Sequence, residues 1–256
     1  MFANYHTHTP RCRHASGDEN SYVQAAIARG LKIFGFSDHT PQWFPGDYYS
    51  RMRMYPQELP EYCATVRQLQ KEYAGQLEIL LGLEVEYYPA IFPELISRLQ
   101  DQGIEYILLG QHWIGNEINE PYSGAPTEDE TVLRCYCDQA ICGMETGLFT
   151  YLAHPDLIYY TGENRIYDAH MRRLCRAAKD TNTPLEINFL GISSNRNYPD
   201  MRLWALAAEE GCQAVFGIDA HLPQQVTDTA PEAKAIALVE QFGLELLETV
   251  PLKKIG

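Results

Sequence analysis

Three histidines lie within a short stretch near the start of the chain, NYHTHTPRCRH at residues 4–14. His6 and His8 are two positions apart, and on an extended strand such side chains point to the same side. Two imidazoles on one face can bind one cation. Two solvated histidines at a polar strand end give the same short motif, so the rest of the chain must decide between these interpretations.

Polar residues with metal-binding atoms also follow apolar runs further along the chain. The seven runs are FANYH, LKIFGFS, LEILLGLEVEY, YILLG, TYLA, PLEIN and AVFGID. The residues at their ends are His6 and His8, Asp38 and His39, Glu84 and Glu86, His112, His154, Asn188, and Asp219 with His221. Of the eight histidines, only His170 lies away from a predicted strand end. Packing would not favour strand ends, so the pattern predicts a metal centre.

Segments of helical periodicity separate the apolar runs, which is typical of βα units around a parallel sheet. Helices are predicted at 20–29, 56–74, 91–102, 128–146, 165–180, 199–210 and 231–242. In a parallel α/β barrel the carboxyl ends of all strands share one face. Residues scattered over more than 200 positions are therefore expected to meet in one cleft.

The size and composition of the chain favour one globular domain over residues 1–256. This is the usual length of a single α/β barrel, and 45% hydrophobic with 21% charged residues is ordinary for a globular protein. The start MFANYHTHT has no signal-peptide pattern, and no apolar run is long enough to span a membrane. We therefore expect a cytoplasmic location, with the seven cysteines as reduced thiols.

The net charge of −14 and the pI near 4.9 argue against nucleic acid or an anionic membrane as a partner. A small or locally steered substrate fits better. Both a monomer and a homo-oligomer remain open.

Six motifs resemble the PHP superfamily of metal-dependent phosphoesterases, and within it the histidinol-phosphate phosphatases. The motifs are HTHT (6–9), FSDHTP (36–41), GLEVEY (82–87), HPD (154–156), LEIN (185–188) and DAH (219–221). The resemblance implies a distorted (β/α)7 TIM-like barrel with its metal site at the carboxyl ends of the strands. It also implies hydrolysis of L-histidinol phosphate to L-histidinol and inorganic phosphate by a metal-activated hydroxide.

The resemblance further implies up to three divalent metals per chain, with mixed imidazole and carboxylate ligands that suit Zn, Fe or Mn. Carried over by position, the ligands are His6, His8, Glu84 and Asp219 for the first metal, His14, His39 and His221 for the second, and His112 and His154, with Glu84 bridging, for the third.

Five further residues are candidates for catalysis or substrate binding. Arg196 and Arg165 follow predicted strand ends, where a guanidinium can bind phosphate with two hydrogen bonds, although both also suit a solvated surface. Asp38 and Asp156 are candidates for orienting ligand imidazoles or for protonating the leaving alkoxide. Glu86 shares a strand face with Glu84, so we expect it to point into the pocket and meet the cationic end of an amino-alcohol phosphate.

The aromatic segment PQWFPGDYYSRMRMYP, residues 41–56, follows the second metal motif directly. Tyrosine, tryptophan and phenylalanine beside arginine in a βα loop favour a lid or a substrate wall. A loop packed on itself is the alternative interpretation.

Three other functions share parts of this pattern. A PHP-type phosphoesterase for a nucleotide, a sugar phosphate or phosphotyrosine would have the same metals. A metal-dependent amidohydrolase shares the barrel and the histidines but commonly has a lysine between the metals, and no lysine lies at a predicted strand end. A non-catalytic metal-binding protein would bind the cations without hydrolysing an ester.

Overall fold

The strands of the chain run parallel to one another and lie in sequence order. The computed structural model describes residues 1–118 and 121–255. Within these residues, eight strands form one sheet in the order β1 to β8. They are β1 (Ala3–Asn4), β2 (Ile33–Phe36), β3 (Glu78–Val85), β4 (Tyr106–Leu109), β5 (Phe149–Leu152), β6 (Leu185–Asn188), β7 (Gln213–Gly217) and β8 (Glu245–Leu247).

Helices connect successive strands, as the predicted βα pattern requires. They are α1 (Glu19–Arg29), α2 (Leu59–Glu72), α3 (Phe92–Gln100), α4 (Glu130–Glu145), α5 (Asn164–Asp180), α6 (Phe189–Ser193), α7 (Met201–Glu210), α8 (Pro223–Thr227) and α9 (Ala230–Phe242). Each of the seven predicted helices is present. The short helices α6 and α8 were not predicted, because five residues are too few to show helical periodicity.

The sheet curls so that its first and seventh strands meet at the carboxyl edge. Just beyond β1 and β7, Thr7 pairs with Ala220 as an isolated parallel bridge. The His8 amide donates to the Ala220 carbonyl at 2.9 Å, and the Asp219 amide donates to the His6 carbonyl at 3.0 Å. These contacts place the metal motifs of the two ends of the chain side by side.

The predicted α/β barrel is confirmed, with one difference in strand number. The sequence shows seven apolar runs, whereas the sheet has an eighth strand, β8, paired with β7 from Gln213 to Val215. Periodicity could not reveal β8, because it has only three residues and none of them is buried. Within the described residues, no helix combines the length and apolar character that crossing a membrane would require.

In the part of the chain that the structure describes, two apolar clusters hold the sheet in place. The larger one lies between the strands and the surrounding helices. The smaller one fills the inside of the curled sheet and contains Tyr5, Leu80, Tyr106, Leu108, Tyr151 and Val215. The Tyr106 hydroxyl donates to the Tyr5 carbonyl at 2.6 Å, which ties β4 to β1 across the interior. The interior is thus a packed core, and it supports the residues at the carboxyl edge from below.

Candidate metal centre

The nine metal ligands predicted from the sequence converge at the carboxyl edge of the sheet. The nitrogen and oxygen atoms of eight of them form groups of three within 4.8 Å of one another, and Nε2 of the ninth, His112, lies 3.6 Å from Glu84 Oε1. The groups include His6, His8 and Asp219; His14, His39 and His221; and His6, Glu84 and His154. The first two groups reproduce the arrangement expected for the first and second metals, apart from Glu84 in the first. The division of the ligands among three metals stays a prediction.

Glu84 lies at the centre of this group. Its Oε1 is 2.9 Å from His154 Nε2 and 3.6 Å from His112 Nε2. Its Oε2 is 3.0 Å from His39 Nδ1, 3.5 Å from His8 Nε2 and 3.6 Å from His6 Nε2. One carboxylate therefore faces five imidazoles with both of its oxygens, which is the position of a bridging ligand.

Several nitrogen and oxygen atoms that could bind a metal in this group are buried without a hydrogen-bond partner. Among the described residues these include Glu84 Oε2, Asp219 Oδ1 and His39 Nδ1. A buried polar atom without a partner is costly, and such atoms are rare in folded proteins. These atoms point towards one another at about the spacing that a shared cation requires. The donor set therefore fits divalent metal ions.

Two residues of the centre have strained backbones. His154 and Asp219 adopt φ angles of 30° and 54°, in the left-handed region that non-glycine residues rarely occupy. Each such residue costs on the order of 1–3 kcal/mol, and strain of this kind concentrates at functional sites. The strain turns both side chains off the end of their strand and towards Glu84 and His8.

Glycines make room for the carboxylates. A Cβ atom at Gly110 would lie 2.0 Å from Glu84 Oε1, and one at Gly217 would lie 1.7 Å from Glu186 Oε1. Neither position tolerates a side chain without displacing the carboxylate. The glycines at the ends of β4 and β7 are therefore needed for the shape of the site.

Glu186 orients the centre, and it was missed in the sequence. Its Oε1 is 2.7 Å from His6 Nδ1, and its Oε2 accepts from the His154 amide at 2.9 Å and from Asn188 Nδ2 at 2.9 Å. A carboxylate on Nδ1 fixes the histidine ring and leaves Nε2 for the metal. One signal in the sequence could have identified Glu186: it is a charged residue inside the apolar run PLEIN, on the same strand face as Asn188.

Changing Glu186 to glutamine is expected to weaken metal binding by 10- to 100-fold, since an amide cannot accept all of these bonds. Metal affinity measured by competition with a chelator would show the effect. Glu105→Gln is the matched control, because the Glu105 carboxylate also accepts bonds, from the Leu81 amide and Gln70, but away from the centre. Equal affinity of Glu186→Gln and the wild type would contradict this role.

The charges of the site divide the histidines into two sets. Burial opposes protonation of His6 and His8, but the neighbouring carboxylates outweigh it, raising the pKa of His6 well above its ordinary value and that of His8 to about 9. Burial lowers the pKa of His39 strongly, and burial together with the charge of His8 lowers the pKa of His221 to about 3. In the absence of a cation, the carboxylates thus favour the protonated forms of His6 and His8. Metal binding must displace these protons.

A cavity of about 490 Å³ opens directly onto the ligands. Besides eight of the nine predicted metal ligands, its wall contains Arg51, Met52, Tyr122, Leu157, Leu190, Arg196 and Tyr198. Arg196 is exposed to solvent at the cavity wall, and its Nη1 donates to the Tyr198 hydroxyl at 3.0 Å. The predicted phosphate-binding position of Arg196 is therefore compatible with the structure. Arg51 and Met52 belong to the segment 41–56, for which the sequence favours a lid or a substrate wall, whereas Tyr122 was not singled out, because loop residues carry no periodic signal.

Arg165 does not contribute to the site, so its predicted role is wrong. Its side chain is 86% exposed at the start of α5, where it lies 3.7 Å from Glu163. It is absent from the cavity wall. Arg165 follows β5 in the sequence, but a long loop separates it from the end of that strand. It therefore lies away from the cleft.

Asp38 and Asp156 are both buried and neither lines the cavity, so the role of protonating the leaving alkoxide stays a prediction that this geometry does not favour. Asp38 Oδ1 lies 3.5 Å from His8 Nδ1, and Asp38 Oδ2 accepts from the Thr9 hydroxyl, so the orienting role remains compatible. Asp156 Oδ2 instead accepts from the Asp200 amide at 2.7 Å and from Trp204 Nε1 at 3.0 Å. Burial raises the pKa of Asp156 to about 7, and its visible role is to anchor the start of α7.

Glu86 is not a substrate contact, contrary to the prediction. It is 1% exposed, and its Oε1 lies 2.9 Å from Arg53 Nη2 and 3.1 Å from His112 Nδ1. The strand alternation that should have paired it with Glu84 ends at Val85, the last residue of β3. The Glu86 carboxylate therefore has its partners, Arg53 and His112, inside the protein.

Residues 4–189 match the PHP domain family. A probable histidinol-phosphatase of Deinococcus radiodurans is 31% identical over 229 residues, which cover 86% of this chain and 86% of that one. A probable histidinol-phosphatase of Schizosaccharomyces pombe is 26% identical over 253 residues, covering 86% and 81% of the two chains. The chain therefore belongs to the PHP family, and the resemblance seen in its motifs is confirmed.

A solved structure shows the same fold. A histidinol phosphate phosphatase from Lactococcus lactis, complexed with Zn, L-histidinol and phosphate, superposes with a TM-score of 0.74 and covers 98% of both chains. At 21% identity, this likeness supports the architecture.

Proposed function

We propose that this chain is a metal-dependent phosphomonoesterase that hydrolyses L-histidinol phosphate to L-histidinol and inorganic phosphate. One observation carries the proposal: eight of the nine predicted metal ligands line one cavity, and Arg196 lies on the wall of the same cavity. Membership of the PHP family and 31% identity to a probable histidinol-phosphatase support the named substrate.

Up to three divalent cations, Zn, Fe or Mn, fit the imidazole and carboxylate donors described above. When bound, such cations supply Lewis acidity, lower the pKa of water and neutralise the charge that develops on the phosphoryl oxygens. The chain itself holds the donors in place before any cation arrives. Glu186 fixes His6, Asp38 faces His8, and the packed barrel interior limits movement of the strand ends.

The residues around the cavity can bind and shield the substrate. Arg196 places a guanidinium on the wall, where it can donate two parallel hydrogen bonds to a phosphate. Tyr122 and Tyr198 offer hydroxyls beside it, while Leu157 and Leu190 provide apolar surface for the rest of a small ester. The arrangement favours a substrate with one phosphate and a compact organic group.

Replacing Arg196 with alanine is expected to lower kcat/KM for the phosphate ester by about 10- to 100-fold, the usual effect of losing a charged hydrogen bond. Arg165→Ala provides the matched control, since it removes the same charge from an exposed position outside the cavity. Steady-state phosphate release checks both variants. Equal kcat/KM for the two variants would remove Arg196 from the site.

The proposed function is tested by phosphate release from L-histidinol phosphate beside a panel of nucleotide, sugar and tyrosine phosphates. The protein should be loaded separately with Mn, Zn or Fe(II). We expect the rate on histidinol phosphate to exceed the others clearly, and His8→Ala to abolish it. His170→Ala, which changes a histidine on α5 that lies 3.2 Å from Glu130, should leave the rate unchanged.

Two results would count against the proposal. Equal activity across the panel would retain a phosphomonoesterase and overturn the named substrate. Tight metal binding without hydrolysis of any ester would favour a metal-dependent amidohydrolase or a non-catalytic metal-binding protein.

A further inference from the structure

Arg53 is a fully buried cation in the loop that follows β2, and it is not one of the predicted metal ligands. It is 1% exposed, although it lies within the aromatic segment 41–56. Its Nη2 is 2.9 Å from Glu86 Oε1, its Nε is 2.7 Å from Glu117 Oε2, and its Nη1 donates to the Thr40 carbonyl at 3.2 Å. One guanidinium thus contacts two carboxylates and one carbonyl.

Glu86 links Arg53 to the metal centre. The oxygen that accepts from Arg53, Oε1, also lies 3.1 Å from His112 Nδ1. On the opposite side of the same ring, His112 Nε2 lies 3.6 Å from Glu84 Oε1. A carboxylate on Nδ1 sets the orientation of the imidazole and leaves Nε2 for a metal. The position of Glu86 therefore determines where His112 presents its ligand nitrogen.

Glu117 links Arg53 to a second loop, the one that follows β4. Its other oxygen, Oε1, accepts from the Tyr48 hydroxyl at 2.8 Å. Nearby, Trp113 Nε1 lies 3.2 Å from Met52 Sδ, so the two loops meet at a second point. Met52 and Tyr122, one from each loop, both line the cavity. The cavity wall on this side is therefore a pair of loops joined through Arg53.

The geometry points to Arg53 as a positioning residue of the metal centre, which holds Glu86 against His112 and joins the two loops of the cavity wall. This inference rests on the proposed metal-dependent function. A lysine cannot replace the arginine here, because a single ammonium does not have the planar fork that reaches both carboxylates and the carbonyl together. The arginine acts through Glu86 and does not itself touch the substrate.

The test is Zn²⁺ binding by Arg53→Lys, measured by competition with a chromophoric chelator. We expect the affinity of one metal site to fall by 10- to 100-fold while the other sites keep theirs. Arg29→Lys is the matched control. Arg29 is also buried, lies 2.6 Å from Glu232 and donates to the Val226 carbonyl at 2.7 Å, but it joins α1 to α9. Unchanged Zn²⁺ affinity in folded Arg53→Lys would overturn the inference.

A double-mutant cycle separates positioning through Glu86 from a general structural effect. If Arg53 acts through Glu86, Arg53→Lys combined with Glu86→Gln should bind Zn²⁺ about as well as Glu86→Gln alone. Losses that simply add would overturn the inference. If Arg53→Lys fails to fold, Glu117→Gln replaces it, because that change removes the second carboxylate that holds the Arg53 guanidinium in place against Glu86. It should weaken the same site, and an unchanged site would again overturn the inference.

The readout distinguishes this inference from the proposed function. Zn²⁺ affinity does not depend on which ester is hydrolysed, so a wild-type chain that binds Zn²⁺ but ignores histidinol phosphate would overturn only the function. A wild-type chain that binds no Zn²⁺ would overturn both.

Discussion

Replacing Glu84 with glutamine is expected to remove metal from the centre and to lower kcat by about 10³-fold or more. Both carboxylate oxygens face imidazole nitrogens, at 2.9 to 3.6 Å from five histidines. Glutamine keeps the shape but has one oxygen and no charge, and its amide nitrogen cannot bind a cation. A 10³-fold loss corresponds to about 4 kcal/mol of transition-state stabilisation, which is within the range that metal ions supply.

The electrostatics of the site agree with this expectation. Burial opposes ionisation of Glu84, yet the imidazoles of His112, His39 and His6 hold the pKa of its carboxyl well below the ordinary value. Glu84 is therefore ionised at neutral pH. The variant loses this negative charge, which cations would otherwise neutralise.

Metal content by elemental analysis and phosphate release by colorimetric assay would measure the two effects. Glu78→Gln is the matched control, because Glu78 begins the same strand, β3, and is exposed at its opposite end. It should keep the full metal content and rate. A Glu84→Gln protein with native metal content and near-native kcat would show that this carboxylate is not a bridging ligand.

Removing the metals with a chelator is expected to reduce activity to background and to lower the Tm. A ligand present at 100 times its Kd stabilises the folded state by about 2.7 kcal/mol. In a chain of this size, that corresponds to a shift of roughly 5–10 °C for each metal bound. The effect arises because the buried carboxylates and imidazoles lose the cations that neutralise and satisfy them.

Reloading the stripped protein separately with Mn, Zn or Fe(II) should restore both the Tm and the rate, whereas Mg should restore less, because imidazole suits it poorly. Calorimetry and phosphate release provide the two measurements. The His8→Ala protein serves as the control, and its Tm should respond less to the chelator. Full activity after metal removal, verified by elemental analysis, would exclude a metal-dependent reaction.

Much of the architecture was predictable because its signals are local. The side chains of a strand alternate between its two faces, and the apolar residues of a helix recur with the helical period. Both patterns depend on neighbouring residues, so seven strands and seven helices can be located from the amino-acid sequence alone. The same reasoning predicted that strand-end residues would meet, since parallel strands share a carboxyl edge. His6 and His154 are 148 positions apart, yet their ligand atoms lie within 4.8 Å of each other.

The side-chain partners of the ligands were not predictable in the same way. Glu186 and His6 are separated by 180 positions, and no local pattern states which carboxylate faces which ring. Arg53 and Glu117 come from two irregular loops, where no period applies. Asp156 illustrates the converse, because its position after His154 suggested chemistry while its side chain turns towards α7.

The sequence by itself determined the parallel βα order, the residues at the strand ends and, through its motifs, the PHP family. These features depend on the periodicity and the spacing of residues along the chain, and both are properties of the linear sequence. Only the tertiary structure decided that Glu186 orients His6, that Arg53 contacts Glu86 and Glu117, and that Arg165 lies outside the cavity. The reason is physical: hydrogen bonds and ion pairs between distant segments depend on how those segments pack, and packing is a property of the whole chain.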